Sequence, residues 1–332
     1  MDLSRRWRMR RCLVLLAVLA LVSCGVLVSL ASSEPWPENR QLLGLNDKTL
    51  QKVIGDPTAG LPEVLPVLSG LDRALNMAVG PDGLVYIADT GKRSIVRCDA
   101  NGRNLTVIMK SGSLSPYDLS FDEEGNLFFS TFARDLSCGT SMGVWKIPGA
   151  QPGATPEKVL SGGDIKACTT ISGYGPFSMS PLCVVTSGPH KGDILVGGKG
   201  SITIVRAVAP DYTSFVPFVK SVQGVFDPYG SGTVDIPVVF TDFCMLGTNG
   251  NVVATDWING RILEFDPEGN FLRVVAKLYR ANLITTDRSG NIYASGAVFG
   301  GRDFQQIVGF SREGERLFQI PITDVRAVAV VE

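Results

Sequence analysis

The chain has a single histidine, His190, and it is the first residue to consider for acid–base chemistry. An imidazole titrates near neutral pH and can act as a general base. Its setting, Gly188-Pro189-His190-Lys191-Gly192, reads as a turn between two strands. A Ser-His-Asp arrangement would need this same residue. No G-x-S-x-G, phosphate-loop or H-E-x-x-H motif occurs, and there is no C-x-x-C. No catalytic residue is therefore assigned. What remains is a set of oxygen donors held at a fixed distance from glycines. Asp242 and Asn282 each precede a glycine (Gly250, Gly290) by eight residues, and Asn76 and Asp118 precede Gly83 and Gly125 by seven. Such oxygens suit a hard divalent ion like Ca²⁺, with Zn²⁺ the alternative cation. Arg326 adds a cation at the corresponding place near the C-terminus. Trp257 follows Asp256 directly and adds an aromatic surface.

The elements that position these residues are repeats. Ala74–Asn104 and Cys244–Asn270 share one layout: an apolar strand, a turn ending in Gly, a second strand, an Asp-led turn, a third strand, then D-x-x-G. Gly83 to Gly102 spans 19 residues, as does Gly250 to Gly269, and Asp89 and Asp256 fall at the same place in each copy. Looser copies place Gly125, Gly192 and Gly290 at the first turn, with Gly314 at a second turn. The first-turn glycines are separated by 42, 67, 58 and 40 residues, and the long gaps imply insertions such as 162–189. Short strands with Asp/Gly turns at this period predict antiparallel sheets repeated around an axis. Each unit buries its faces only by stacking on its neighbours. The fold class is all-β, a six-bladed β-propeller with five blades as the alternative count. Val325–Val331 supplies a sixth inner strand, and a segment such as Leu61–Leu68 from the other end of the chain would pair with it to close the ring.

The pattern running through Met77–Arg93 (MAVGPDGLVYIADTGKR) and again through Thr248–Phe265 resembles that of NHL repeats. These repeats share their layout with gluconolactonase-like and senescence-marker-like six-bladed propellers. The resemblance covers most of residues 70–331. It implies that blade-to-blade turns and second-to-third-strand turns share one face, where ligands gather around the channel. It also implies that first-to-second-strand turns, His190 among them, lie on the opposite face. Similar gluconolactonase-type propellers place Asp and Asn metal ligands where Asp242 and Asn282 stand. This chain has Leu75 where the family's first-blade Glu is expected. Asp118, Asn76, Arg326 and Trp257 complete the expected channel mouth. Asp89 and Asp256 are read as turn formers.

The N-terminus carries a different signal. Arg5, Arg6, Arg8, Arg10 and Arg11 precede an apolar run from Cys12 to Ala31. A basic segment followed by a hydrophobic one is the layout of an export signal, and a run of this length can also span a bilayer as a helical anchor. Residues 1–33 are read as signal peptide or anchor, 34–60 as linker and possible closing strand, and 61–332 as propeller. The expected location is extracytoplasmic, secreted or tethered to a membrane. Beyond residue 11 the chain has 26 basic and 31 acidic residues, a net charge of −5. With no basic block, nucleic acid is excluded as a partner. Among the exported cysteines, Cys138 and Cys168 are the expected disulfide and Cys98 and Cys183 buried thiols. Asn104-Leu105-Thr106 is a glycosylation sequon if the source is eukaryotic. The functional expectation is a monomeric binding module for a protein or small-molecule ligand, with a metal-dependent, lactonase-like hydrolase as the alternative.

Overall fold

The computed structural model describes residues 36–60, 62–131, 143–161, 181–197, 204–219, 240–247, 249–297 and 304–332. The export segment at 1–33, its proposed helix, and the Cys138 and Cys168 pair lie outside the described residues. Among the described residues, no helix is long and apolar enough to cross a membrane.

The strands build six four-stranded antiparallel sheets. The first three, β1 (Gln41–Leu45), β2 (Thr49–Ile54) and β3 (Glu63–Ser69), belong to the blade that closes the ring. Blade 1 follows, with β4 (Ala74–Val79), β5 (Val85–Asp89), β6 (Ser94–Cys98) and β7 (Thr106–Lys110). Blade 2 has β8 (Pro116–Phe121), β9 (Leu127–Thr131), β10 (Gly143–Ile147) and β11 (Glu157–Ser161). Blade 3 has β12 (Leu182–Val184), β13 (Ile194–Gly197), β14 (Ile204–Ala207) and β15 (Phe215–Pro217). Blade 4 has β16 (Phe240–Leu246), β17 (Asn251–Asp256), β18 (Arg261–Phe265) and β19 (Phe271–Lys277). Blade 5 has β20 (Ile284–Thr286), β21 (Ile292–Ala297), β22 (Phe304–Phe310) and β23 (Arg316–Pro321). The last strand, β24 (Ala327–Val331), is the inner strand of blade 6 and pairs with β1, Leu43 opposite Ala329.

Six blades replace the alternative count of five. The closing blade takes three strands from the N-terminal side, and residues 41–54, read as linker and possible closing strand, supply two of them. Pairing the two ends of the chain in one sheet leaves no open end to the ring. The apolar core is divided accordingly. Each buried cluster joins two consecutive blades: Leu119 and Phe129 with Tyr86 and Ile95, Phe243 and Leu263 with Leu195, Val328 and Leu42 with Ile307. Neither face of an inner sheet is buried without its neighbour, which is why the repeat has to close.

The glycines that mark the repeat serve two physical roles. The first-turn residues Gly83, Gly125, Gly192, Gly250 and Gly290 all have φ between 74° and 94°, a region costly for other residues. The outer-turn residues Gly102, Gly269 and Gly314 combine positive φ with close approach to the previous blade. A Cβ there would fall on the main-chain carbonyl of Val67, Phe218 or Val275 respectively. The D-x-x-G turn therefore seats one blade against the outer edge of the one before.

This separates two substitutions that look alike in sequence. Gly83→Ala, with open space around it, should cost about 1–2 kcal/mol for the backbone alone. Gly269→Ala should cost clearly more, because the Phe218 main chain just past β15 must move as well. Equal shifts in denaturant midpoint for the two variants would contradict the seating role.

Candidate functional site

In every blade the innermost strand has one paired edge and one edge facing the axis, where main-chain N–H groups need acceptors. Side chains from the preceding blade provide them. The Asp118 carboxylate accepts the Leu119 N–H at 2.7 Å on Oδ1 and the Leu182 N–H of blade 3 at 2.7 Å on Oδ2. Two residues further along β8, Ser120 Oγ accepts the Val184 N–H at 2.9 Å. Asp242 repeats the arrangement: Oδ1 takes the Phe243 N–H at 2.9 Å and Oδ2 the Ile284 N–H of blade 5 at 2.8 Å. Asn76 caps its own strand through the Met77 N–H at 2.6 Å and donates its amide to Asp118 Oδ1. Asn76, Asp118 and Asp242 are thus one structural position in blades 1, 2 and 4.

That equivalence differs from the register expected on glycine spacing, which grouped Asp242 with Asn282. Asn76 pairs with Ala88, twelve residues on, whereas Asp242 pairs with Thr255, thirteen residues on. The first turn of blade 4 holds one extra residue and displaces the count. Leu283, whose N–H meets Ser295 Oγ as the Asp118 N–H meets Ser130 Oγ, is the blade 5 equivalent.

Asp242 and Asn282 consequently do not converge. The Asn282 side-chain amide donates to the Arg326 main-chain carbonyl at 3.4 Å, and the Asn282 main-chain carbonyl accepts the Thr255 hydroxyl at 2.6 Å. Arg326 does not join the acids either. It lies between Asp47 at 3.2 Å and Asp324 at 3.3 Å. Trp257 sits at the β17–β18 turn with the Arg280 guanidinium 5.4 Å from its ring centroid. His190 lies in the β12–β13 turn as expected, 3.6 Å from Glu268 and 4.0 Å from Asp193. Asp89 and Asp256 behave as turn formers: Asp89 accepts the Asp72 N–H at 2.8 Å, and Asp256 holds Asn259 and Arg261 at 2.7 and 2.6 Å. Asn104, in the sequon, is an exposed turn residue with φ 59°.

Asp242 lines the axial cavity and Asn282 does not, so the expected pair of metal ligands is not brought together there. Each Asp242 oxygen already accepts a main-chain N–H, and the Asn282 amide points to a carbonyl. Among the described residues, no three His, Cys, Asp or Glu side chains come together as an ion site. Ca²⁺ requires six to eight oxygens.

Asn76, Asp118 and Asp242 instead line the deep part of an axial cavity of about 650 Å³. Cys183 and Cys244, at the same register in adjacent blades, line it too, and it extends to the first-turn residues Gly80–Gly83, Asp122, Glu123 and Arg288. That is the face opposite to the one expected to gather ligands. The connections 132–142, 162–180, 198–203, 220–239 and 298–303 lie outside the described residues. Burial governs the titration of the cavity groups. Asp118, 3% exposed, is pushed up to about 7 by desolvation against the pull of its hydrogen bonds. Asp242 is raised well above the carboxylate range by burial and then by the Asp118 charge. Burial likewise raises both thiols, so neither is an activated nucleophile. The site can present buried carboxyls and polar edges to a ligand, and the Asp118 carboxyl, raised to about 7, is already engaged by two main-chain N–H groups.

No family model matches the chain, and no curated protein matches it in sequence. Solved structures do share its fold. A chain of a nidogen/laminin complex aligns with TM-score 0.63 at 12% identity, over 88% of this chain and 98% of that one. TolB from Acinetobacter baumannii aligns with TM-score 0.57 at 14% identity, over 88% and 66%. Regucalcin from Agrobacterium tumefaciens, described as a calcium-binding protein, aligns with TM-score 0.50 at 12% identity, over 76% and 75%. At these identities the likeness is one of fold, and it is the six-bladed propeller that the repeat resemblance implied.

A pH dependence follows from Asp118. Its folded value of about 7 lies above its ordinary 3.8, so between these values the folded chain keeps a proton that the unfolded chain has released. The stability linked to this group is full below about pH 4 and is lost as pH rises to about 7. In urea melts, wild type should lose stability relative to Asp118→Asn across that window, and the difference should level off above it. A difference that is flat or grows in favour of wild type would contradict the assignment.

Proposed function

We propose that this chain is an extracytoplasmic binding propeller that recognises a protein or small-molecule ligand around its axis, without metal-dependent hydrolysis. The observation that carries the reading is the use of the channel carboxylates. Asp118 and Asp242 hold the inner strands of the next blades through main-chain N–H groups at 2.7–2.8 Å. They are structural acceptors before they are ligands. A hydrolase of the lactonase type would need them, or Asn282, free to converge on an ion. The axial cavity is of the size of small-molecule sites. The propeller of the same architecture in a nidogen/laminin complex is consistent with a role in protein assembly. The basic-then-apolar N-terminus supports export of the whole domain.

Thermal melts of wild type and Asp242→Ala, with and without millimolar Ca²⁺ or Zn²⁺, test this. An ion held with micromolar affinity would add about 4 kcal/mol at a thousandfold excess. The expected result is no ion-dependent shift in wild type and a lower melting temperature in Asp242→Ala, reflecting the lost strand acceptor. An ion-dependent rise in wild type that disappears in Asp242→Ala would overturn the reading in favour of a metal-dependent hydrolase.

A further inference from the structure

Blades 1 and 4 are the two best copies of the repeat, and one of the buried positions at which they differ opens the third strand. Ser94 of blade 1 pairs with Asp89 across the β5–β6 ladder, as Arg261 of blade 4 pairs with Asp256. In blade 4 the Arg261 side chain fills its site and binds Asp256 at 2.6 Å. In blade 1 the small Ser94, 4% exposed, leaves that space open. The result is a groove of about 400 Å³ between the outer edge of blade 6 and blade 1.

Its walls are apolar. Leu68 and Leu71 come from the blade 6 side, Val96 from β6, Leu105 from the residue before β7 and Val107 from β7, the outer strand of blade 1. Leu105 is 53% and Val107 51% exposed, so the groove is unfilled by the chain's own side chains. Its charges do not cancel. Lys92 lies 3.5 Å from Asp89, which offsets it. Lys110, directly opposite Ser94 in the ladder, lines the groove and has no ion-pair partner among the described residues. An apolar slot with one unmatched ammonium suits an anionic head on a short hydrocarbon chain.

We propose that this groove binds a small amphipathic carboxylate, an acyl chain of about six to ten carbons by pocket size. Lys110 holds the head and Leu105 and Val107 cover the chain. The site is separate from the axial cavity and does not depend on what that cavity binds.

Isothermal titration of the full chain with sodium octanoate, octylamine and sodium acetate tests it. Octanoate should bind saturably, with octylamine and acetate each at least about tenfold weaker. Lys110→Gln should weaken octanoate about tenfold, while Lys277→Gln, at the matching place in blade 4, should leave it unchanged. Ser94→Arg, which copies blade 4, should abolish binding with the melting transition retained. If that variant does not fold, Val107→Asn on the exposed face should produce the same loss. Octylamine binding as well as octanoate, octanoate binding that survives in folded Ser94→Arg or in Val107→Asn, or no saturable octanoate binding up to about 10 mM would overturn the proposal.

Discussion

The constraint on which the structure depends is the free edge of the inner strand. A sheet hydrogen-bonds its strands to each other, but the strand beside the axis has no partner on its channel side. A narrow channel gives water limited access, and an unmet N–H there is costly. This propeller meets the need with side chains reaching from one blade to the next: Asp118 to Leu182, Ser120 to Val184, Asp242 to Ile284. Hydroxyls supply the reverse polarity, as Thr90 and Thr255 donate to the Pro116 and Asn282 carbonyls at 2.6 Å. The blades are thus held at the axis by polar contacts and further out by shared apolar clusters. The raised Asp118 and Asp242 carboxyls follow from the same placement, because an acceptor useful to the inner edge has to be buried.

The fold was legible because turn chemistry is local. A first turn that needs positive φ selects glycine, and an outer turn that touches the previous blade selects it again. Those demands survive in blades whose strand residues have diverged, which is why five glycine anchors located five blades. The closing blade has no such anchor. Its inner strand, β24, and its second strand, β1, are the two ends of the chain and share no turn, so nothing marks their junction. The β1–β2 turn is Asn46-Asp47-Lys48, without glycine. Residues 41–54 therefore read as linker and possible closing strand, and they form two strands.

The site was less legible, for an equally local reason. One extra residue in the β16–β17 turn moves Asp242 out of phase with Asn76 and Asp118 when distance is counted from the glycine. The same shift placed Asp242 beside Asn282, producing an apparent oxygen pair that the backbone register does not support. Ladder pairing, which sets where side chains point, cannot be recovered from spacing when a turn changes length. The groove at Ser94 was invisible for another reason. Ser94 is unremarkable in the sequence, and it gains meaning only beside Arg261 once both are known to occupy the same position.

The ring of inner-strand positions also limits what the channel can do. Running from blade 1 to blade 5 it reads Asn76, Asp118, Pro181, Asp242 and Leu283, with Gly197 donating to the Pro181 carbonyl where an acid stands in its neighbours. Pro181 and Leu283 have no side-chain acceptor to offer. They interrupt the ring on either side of Asp242, which still feels the Asp118 charge across the cavity, and each acid is committed to the blade that follows it. A metal centre at the axis of such a fold would need at least three donors turned inward at one height. Here Asn76 and Asp118 are hydrogen-bonded neighbours, Asp242 is set off by Pro181 and Leu283, and the acid oxygens are drawn sideways by the strand edges. The polarity of this channel is therefore a by-product of holding the ring together, and recognition has to use what that leaves accessible: the open volume beside the carboxyls, the first-turn face into which it opens, and departures from the repeat such as Ser94.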